Sequence, residues 1–396
     1  MKPILPIGVK IITEKLEENG KHAHIVGGCV RDFLLSKAPY DYDITTDALP
    51  EEMKVIFSDM RTIETGIKHG TLTVLCEGEP YEVTTYRVDG EYEDHRHPKS
   101  VTFTDSLIGD LSRRDFTMNA ICYSERDGFV DMFSGIEDIK NRVIRAVGDP
   151  SVRFDEDALR ILRAIRFAAV LGFEIEENTA KSAEEKAHLL ASVSAERIYA
   201  EWKKLVGGDF AYEVILKYSS IISEFLFSEE IVLPEREAFL GASAPARQLS
   251  LFMLSLEDSA ERFAEFSDRM KTDAKTKRLG AIALKNIDEP LKSETDARLL
   301  LIRLGIEAVR LLRELKAIRS EKEVISERGL ISVAESDYPL SLSALKIGGE
   351  DLKALGFSGK GIGAALEELL IMTARDEVKN EREALISAAK KLANGI

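Results

Sequence analysis

The spacing of apolar positions divides the chain into two regimes. Short apolar and β-branched runs, broken by glycine and proline, come first, and from Ile136 onwards apolar residues recur at helical spacing. Ile25 and Val26 form the first run. It ends at Gly27-Gly28 and is followed by an amphipathic stretch from Val30 to Leu35, which predicts strand, turn and helix. A second strand is predicted through Tyr40-Asp41-Tyr42-Asp43-Ile44. Pro50 to Phe57 reads as a helix, and Gly70 to Cys76 as a strand that turns at Glu77-Gly78-Glu79-Pro80 into Tyr81 to Arg87, a hairpin. Asp89 to Pro98 is polar, carries both signs of charge and is bounded by Gly90 and Pro98, so a mobile loop is predicted there.

In the helical regime, one helix is predicted from Glu156 to Leu171. Glu156 and Asp157 suit its positive end, Leu159, Leu162, Ile165 and Phe167 supply a core face, and Gly172 suits a C-cap. Arg160, Arg163 and Arg166 recur every three residues and form a slowly drifting stripe one turn above Asp157. Beyond about residue 210 the chain reads as amphipathic helices, for example Ala297 to Ile318 and Ala364 to Ala393.

Two features carry candidate chemistry. At Gly27-Gly28 the missing Cβ atoms let a phosphate approach backbone amides at a helix start, and Arg31 adds a positive charge. In the following strand, alternation puts Asp41 and Asp43 on one face with Tyr42 and Ile44 on the other. Like charges that close call for a cation, and hard carboxylate oxygens suit Mg2+.

Gly27 to Leu35 (GGCVRDFLL) followed by Asp41 to Ile44 (DYDI) resembles the nucleotidyltransferase signature of the bacterial CCA-adding enzyme and poly(A) polymerase family. Further matches follow in order: Asp110 to Ile121 (DLSRRDFTMNAI), Arg153 to Phe167 with its EDxxRxxR core, and Ser194 to Val206 (SAERIYAEWKKLV). Together they cover roughly residues 22 to 200. The resemblance implies that Asp41 and Asp43 hold catalytic magnesium, that Glu82 is the third acid, and that Gly28, Arg31 and Arg114 orient the nucleotide. By the same resemblance Asp115 and Asn119 fix the loop around Arg114, and Glu196 and Arg197 are structural. Gly109 stands where relatives often carry an acid. The polar segment 89–98 resembles the family's flexible loop, whose presence favours an enzyme able to add adenosine.

Asp157 and Arg160, one turn apart, offer an acceptor beside a donor. CTP and ATP present an amino group next to an unprotonated ring nitrogen, and UTP and GTP present the reverse. The pair is therefore expected to read the base, with Arg163 and Arg166 binding nearby.

At 396 residues, 44% hydrophobic and 31% charged, the chain is expected to be globular and multidomain. No apolar run is long enough to span a membrane, and a cytoplasmic location is expected. Cys29, Cys76 and Cys122 are odd in number and widely spaced, which gives neither a disulfide framework nor a zinc pattern. A net charge of -15 argues against a general nucleic-acid coat but leaves room for basic patches. Residues 140–167 hold seven basic against four acidic residues, and residues 269–285 hold six against one. Every histidine lies at or before His188, which leaves no His-Asp phosphohydrolase module in the C-terminal half.

The expected fold is α+β, a small mixed-sheet nucleotidyltransferase head followed by an all-helical neck, body and tail. The expected boundaries are 1–140, 141–210, 211–310 and 311–396. The expected function is template-independent completion and repair of the 3′-CCA of tRNA from CTP and ATP with Mg2+, by a monomer or homodimer. An A-adding-only enzyme, a poly(A) polymerase and a non-catalytic RNA-binding protein are the alternatives.

Overall fold

The computed structural model describes residues 2–90, 101–226, 231–255, 258–321 and 323–394, and the chain divides into two compact units, Met1–Ser228 and Glu229–Ile396. The first unit opens with α1 (Ile7–Glu18), β1 (Ala23–Val26), α2 (Gly28–Leu34), β2 (Asp43–Thr46), α3 (Pro50–Ile56), β3 (Arg61–Ile63), β4 (Thr71–Cys76) and β5 (Glu79–Thr85). It continues with β6 (Arg87–Asp89), β7 (Val101–Phe103), α4 (Leu107–Ser112), β8 (Ile121–Ser124) and β9 (Gly128–Asp131). Seven strands form one sheet in the order β3-β4-β5-β2-β1-β8-β9. Within it β2 and β5 run parallel and all other neighbours antiparallel. This is the mixed sheet expected from the sequence.

All four residues of β1 are buried, as a central strand requires. The β4–β5 hairpin turns at Glu77 and Gly78, both at positive φ (52° and 84°), the twist-matched geometry for a two-residue connection. β6 and β7 pair with Asp89 opposite Val101, which brings the two ends of the intervening segment together. Residues 91–100, where most of the predicted loop falls, lie outside the described residues.

One boundary differs from the expected strand. β2 starts at Asp43, so Asp41 sits just ahead of it rather than two places along it. The cause lies in the neighbours. Val26, paired with Asp43, is the last residue of β1 before Gly27 turns the chain away at φ 79°, and on the other side Pro80 of β5 has no N–H to donate.

The sheet gives way to α5 (Gly135–Asn141), β10 (Val143–Ile144), α6 (Pro150–Glu156), α7 (Leu159–Leu171), β11 (Glu174–Ile175), α8 (Glu177–Glu185) and α9 (Ala195–Val206). The single helix expected from Glu156 to Leu171 is broken at Asp157, which adopts φ -140° and ψ 100°. Its carboxylate accepts the Leu159 N–H at 3.2 Å, the competition with the helical ladder that makes aspartate a good start residue and a poor interior one. Leu159, Leu162, Ile165 and Phe167 are buried, as expected for the core face, and Gly172 closes α7 at φ 69°.

Every regular element among the described residues of the second unit is a helix. One core gathers Leu300, Leu301, Val309, Leu312, Leu330 and Val333, and another Leu352, Leu369, Leu370, Leu385 and Ala389. Buried Arg298 stacks on Tyr338 at 3.9 Å and grips Asp376 at 3.0 and 2.9 Å. Three lysines of the basic run 269–285 are already paired, Lys275 with Glu307, Lys277 with Asp268 and Lys285 with Glu261.

Candidate active site

The site is built at the edge where β2 and β5 begin. Asp43 and Glu82 are register partners on these parallel strands, so their side chains leave the sheet on the same face. Both reach solvent while Ile44, Tyr81 and Val83, one place along, are buried on the other side. Asp41 completes the group from just ahead of β2, and its charge acts on Asp43.

That crowding shows in the titration of Asp43. Its pKa is raised to about 6, first by burial, then by the charge of Asp41 and, more weakly, Glu82, with Arg114 opposing. The carboxylate touches solvent at the cleft surface, yet protein fills most of the space around it, so burial is the main cause of the rise. Cys29, beneath it, is pushed up to about 12 by burial and by the same Asp43 charge, so the floor of the site is a neutral thiol. An acid pair left in this state suits a divalent cation. Among the described residues no three His, Cys, Asp or Glu side chains form a group that could hold a metal ion by themselves.

The glycine turn lies beside the acids. Gly27, at φ 79°, carries the conformational demand, and a Cβ there would lie 3.2 Å from Nη1 of Arg114. Gly28 has an ordinary φ and opens α2, with Arg31 Nη2 3.7 Å from its would-be Cβ. Arg114 thus lies against Gly27, and Arg31 against Gly28.

Arg114 is held by Asp110, a residue outside the expected site set. Asp110 is fully buried and accepts from Arg114 Nη2 at 3.3 Å, from Arg113 at 3.0 and 2.7 Å and from the Thr45 hydroxyl at 3.3 Å. Burial alone would push its carboxyl up, but the two guanidiniums outweigh it and hold it below the usual range. An acid at the place of Gly109 is therefore not needed for this job, because its neighbour performs it.

A second polar chain ties the turn to α7. Arg31 donates from Nη1 to Asn119 at 2.8 Å, and Asn119 donates to Asp115 at 3.0 Å. Asp115 accepts from Arg163 Nε at 2.9 Å. Burial would raise Asp115, but Arg163 and Asn119 bring it down to about 2. Asn119 and Asp115 therefore brace Arg31 and Arg163, with no described hydrogen bond to Arg114. At the far end Glu201, buried on α9, accepts from Arg166 at 2.8 Å and lies 3.8 Å from Arg163. In that helix the acid facing the site is not the expected motif residue Glu196 but Glu201. Its signal was available, since it shares a helical face with Ile198, Trp202 and Leu205.

Asp157 and Arg160 stand one turn apart, the Arg160 N–H bonding the Asp157 carbonyl at 3.0 Å. Their side chains already have partners. Asp157 accepts from Arg197 at 2.8 Å, and Arg160, buried, donates to Glu156 at 2.8 Å, to the Arg113 carbonyl at 2.8 Å and to that of Arg153 at 3.3 Å.

Residues 23–145 match the family described as the poly A polymerase head domain, and residues 172–217 the one described as a probable RNA and SrmB-binding site of polymerase A. A CCA-adding enzyme of Pediococcus pentosaceus is 34% identical over 400 aligned residues, covering 97% of each chain. The chain belongs to the CCA-adding enzymes. One from Geobacillus thermodenitrificans reaches 50% identity over 215 residues, 54% of this chain and 52% of that one. The crystal structure of the Bacillus stearothermophilus CCA-adding enzyme in complex with CTP superposes over 99% of both chains at 29% identity and a TM-score of 0.76. As a CCA-adding enzyme the chain is a tRNA nucleotidyltransferase with a mixed-sheet head and a helical remainder. No helix among its described residues is long and apolar enough to cross a membrane.

Proposed function

We propose that the chain completes and repairs the 3′-CCA end of tRNA, taking CMP from CTP and AMP from ATP, with Asp41 and Asp43 as the magnesium-holding acids. The observation that supports the residue assignment is the approach of Asp41 and Asp43 at one strand edge, with Glu82 in register on β5 and Asp43 raised to about 6 by burial and by the charge of Asp41. Magnesium bound there would neutralise triphosphate charge and favour the deprotonated RNA 3′-hydroxyl. The 3′-oxygen forms a bond to the α-phosphorus, the bond to the bridging oxygen breaks, and pyrophosphate leaves with that electron pair. Glu82 completes the acid cluster from β5. Arg114, aimed by Asp110, and Arg31, braced by Asn119, orient the nucleotide phosphates above the Gly27-Gly28 turn.

Base choice falls to Asp157 and Arg160. A carboxylate has more acceptor sites than its described partners use, so Asp157 can still meet an amino group, and the base edge exchanges with part of the bonding of Arg160. Arg163 and Arg166 contribute positive charge one and two turns further on. The segments 1–140, 141–210, 211–310 and 311–396 serve as catalytic head, nucleotide-selecting neck, and RNA-holding body and tail of a cytoplasmic enzyme.

Incubating purified protein with tRNA transcripts ending before CCA, after C and after CC, and counting the nucleotides added, tests the reading. Addition of three, two and one residues is expected. Addition of A alone to the last transcript would assign an A-adding enzyme instead, and a long homopolymer a poly(A) polymerase.

A further inference from the structure

Three of the arginines assigned to the nucleotide converge on one aromatic ring. Phe167 is buried on α7, and the guanidinium carbons of Arg166, Arg31 and Arg163 lie 3.5, 5.1 and 5.6 Å from its ring centroid. They come from two elements, α2 and α7, that share no sequence neighbourhood. The ring is itself fixed, edge to face, on buried Phe116 at 5.8 Å. Each guanidinium also has a carboxylate: Arg31 grips Asp32 at 2.9 and 2.7 Å, Arg163 has Asp115, and Arg166 has Glu201.

An acid alone leaves a guanidinium free to swing about the contact. A ring face adds an attraction that depends on the angle of approach, because its quadrupole is negative over the face and positive at the edge. With acid and ring both in place, one orientation remains. Three like charges also repel one another, and the ring offsets part of that repulsion without adding a fourth carboxylate that would repel a triphosphate.

We propose that Phe167 is a positioning residue that sets Arg31, Arg163 and Arg166 for the incoming nucleoside triphosphate. The proposal rests on the reading of those arginines as part of the nucleotide site. It goes beyond a core role, which any apolar side chain of similar volume would fill.

The test compares Phe167→Leu, which keeps apolar bulk, with Phe167→Tyr, which keeps the ring face. Full-length enzyme and a tRNA transcript lacking CCA are used, with KM and kcat measured for CTP, then for ATP on a transcript ending in CC. Phe167→Leu is expected to raise both KM values about threefold to tenfold with kcat nearly unchanged. Phe167→Tyr is expected to stay near the parent values. If the Leu variant does not fold, as judged by its melting curve, Phe167→Met takes its place. In the double variant with Arg166→Ala, the rise should be smaller than the product of the single effects. Equal KM shifts in the Leu and Tyr variants, or a fully multiplicative double variant, would reduce Phe167 to packing and overturn the proposal. Arg31→Ala, Arg163→Ala and Arg166→Ala are run alongside. If these shift KM while Phe167→Leu does not, the ring's role alone fails; if all three are silent, the nucleotide-site reading fails and takes the proposal with it.

Discussion

Asp43 holds its proton more tightly in the folded protein than in the unfolded chain, where an aspartate titrates near 3.8, because burial and the charges of Asp41 and Glu82 bring it to about 6. The sign of the pH effect follows. The contribution of Asp43 to stability is fully present below about pH 4 and is lost as pH rises through about 6. In EDTA, Asp43→Asn should therefore melt above the parent protein at pH 8, with the gap closing towards pH 4. A gap independent of pH would mean that the Asp43 pKa is not raised in the folded protein. Magnesium should stabilise the parent more at pH 8 than at pH 5, since protons and metal compete for the same oxygens. In catalysis, Asp41→Ala or Asp43→Ala should abolish incorporation of both CMP and AMP in a fold that still melts cooperatively, because phosphoryl transfer does not depend on the base. Substantial incorporation by either variant would move the catalytic site elsewhere. The acid pair was legible from its spacing, but Asp110 was not. Three and four residues before two arginines, an acid reads as a surface ion pair, and only the packing of α4 against β2 reveals it as a buried clamp.

At the scale of elements, the β6–β7 pair decides what a loop deletion can do. Asp89 and Val101 face each other, so removing Glu91 to His97 leaves Gly90, Pro98, Lys99 and Ser100 to close the hairpin, a length within the usual two to five residues. The deletion should fold, spare addition of C and selectively cripple addition of A, as a single-nucleotide assay on transcripts ending before CCA and after CC would show. Loss of both activities would point to a folding role. The break between α6 and α7 carries a second expectation. Asp157→Ala and Arg160→Ala should each lower the preference for CTP and ATP over UTP and GTP by about fivefold to a hundredfold, equivalent to about 1–3 kcal/mol of lost polar pairing. The ratio among four nucleotides is the readout, because Arg160 also ties down two carbonyls and its loss slows everything. Unchanged ratios in both variants would remove the pair from base selection. Helical periodicity made α7 and its buried face readable. It could not show the break, since Asp157 is spaced correctly for a continuous helix and leaves it only because its side chain caps Leu159 and reaches Arg197.

For the whole molecule, composition gave the charge but not its distribution. Up to Ser228 the chain has 28 basic and 40 acidic residues, and from Glu229 onwards 26 and 29, so most of the net charge of -15 sits in the first unit. The basic run 269–285, which looked like a free patch in the sequence, has three of its lysines in ion pairs. A tRNA approaching this protein is therefore expected to meet repulsion at long range and attraction only close to the surface. The two ranges separate with salt, because the screening length falls from about 30 Å at 0.01 M to about 8 Å at 0.15 M. Association of fluorescent tRNA, followed by stopped flow, should accelerate or stay level as salt rises from about 10 to 50 mM, while the net field is being screened. Dissociation should quicken over the whole range as local phosphate contacts weaken, with a shallow dependence of affinity on salt that reflects few such contacts. A basic RNA-binding protein would instead associate fastest at the lowest salt. If this chain did so, one strongly positive surface would have to dominate its field despite the net charge, and RNA holding by a few local contacts in the helical unit would be wrong.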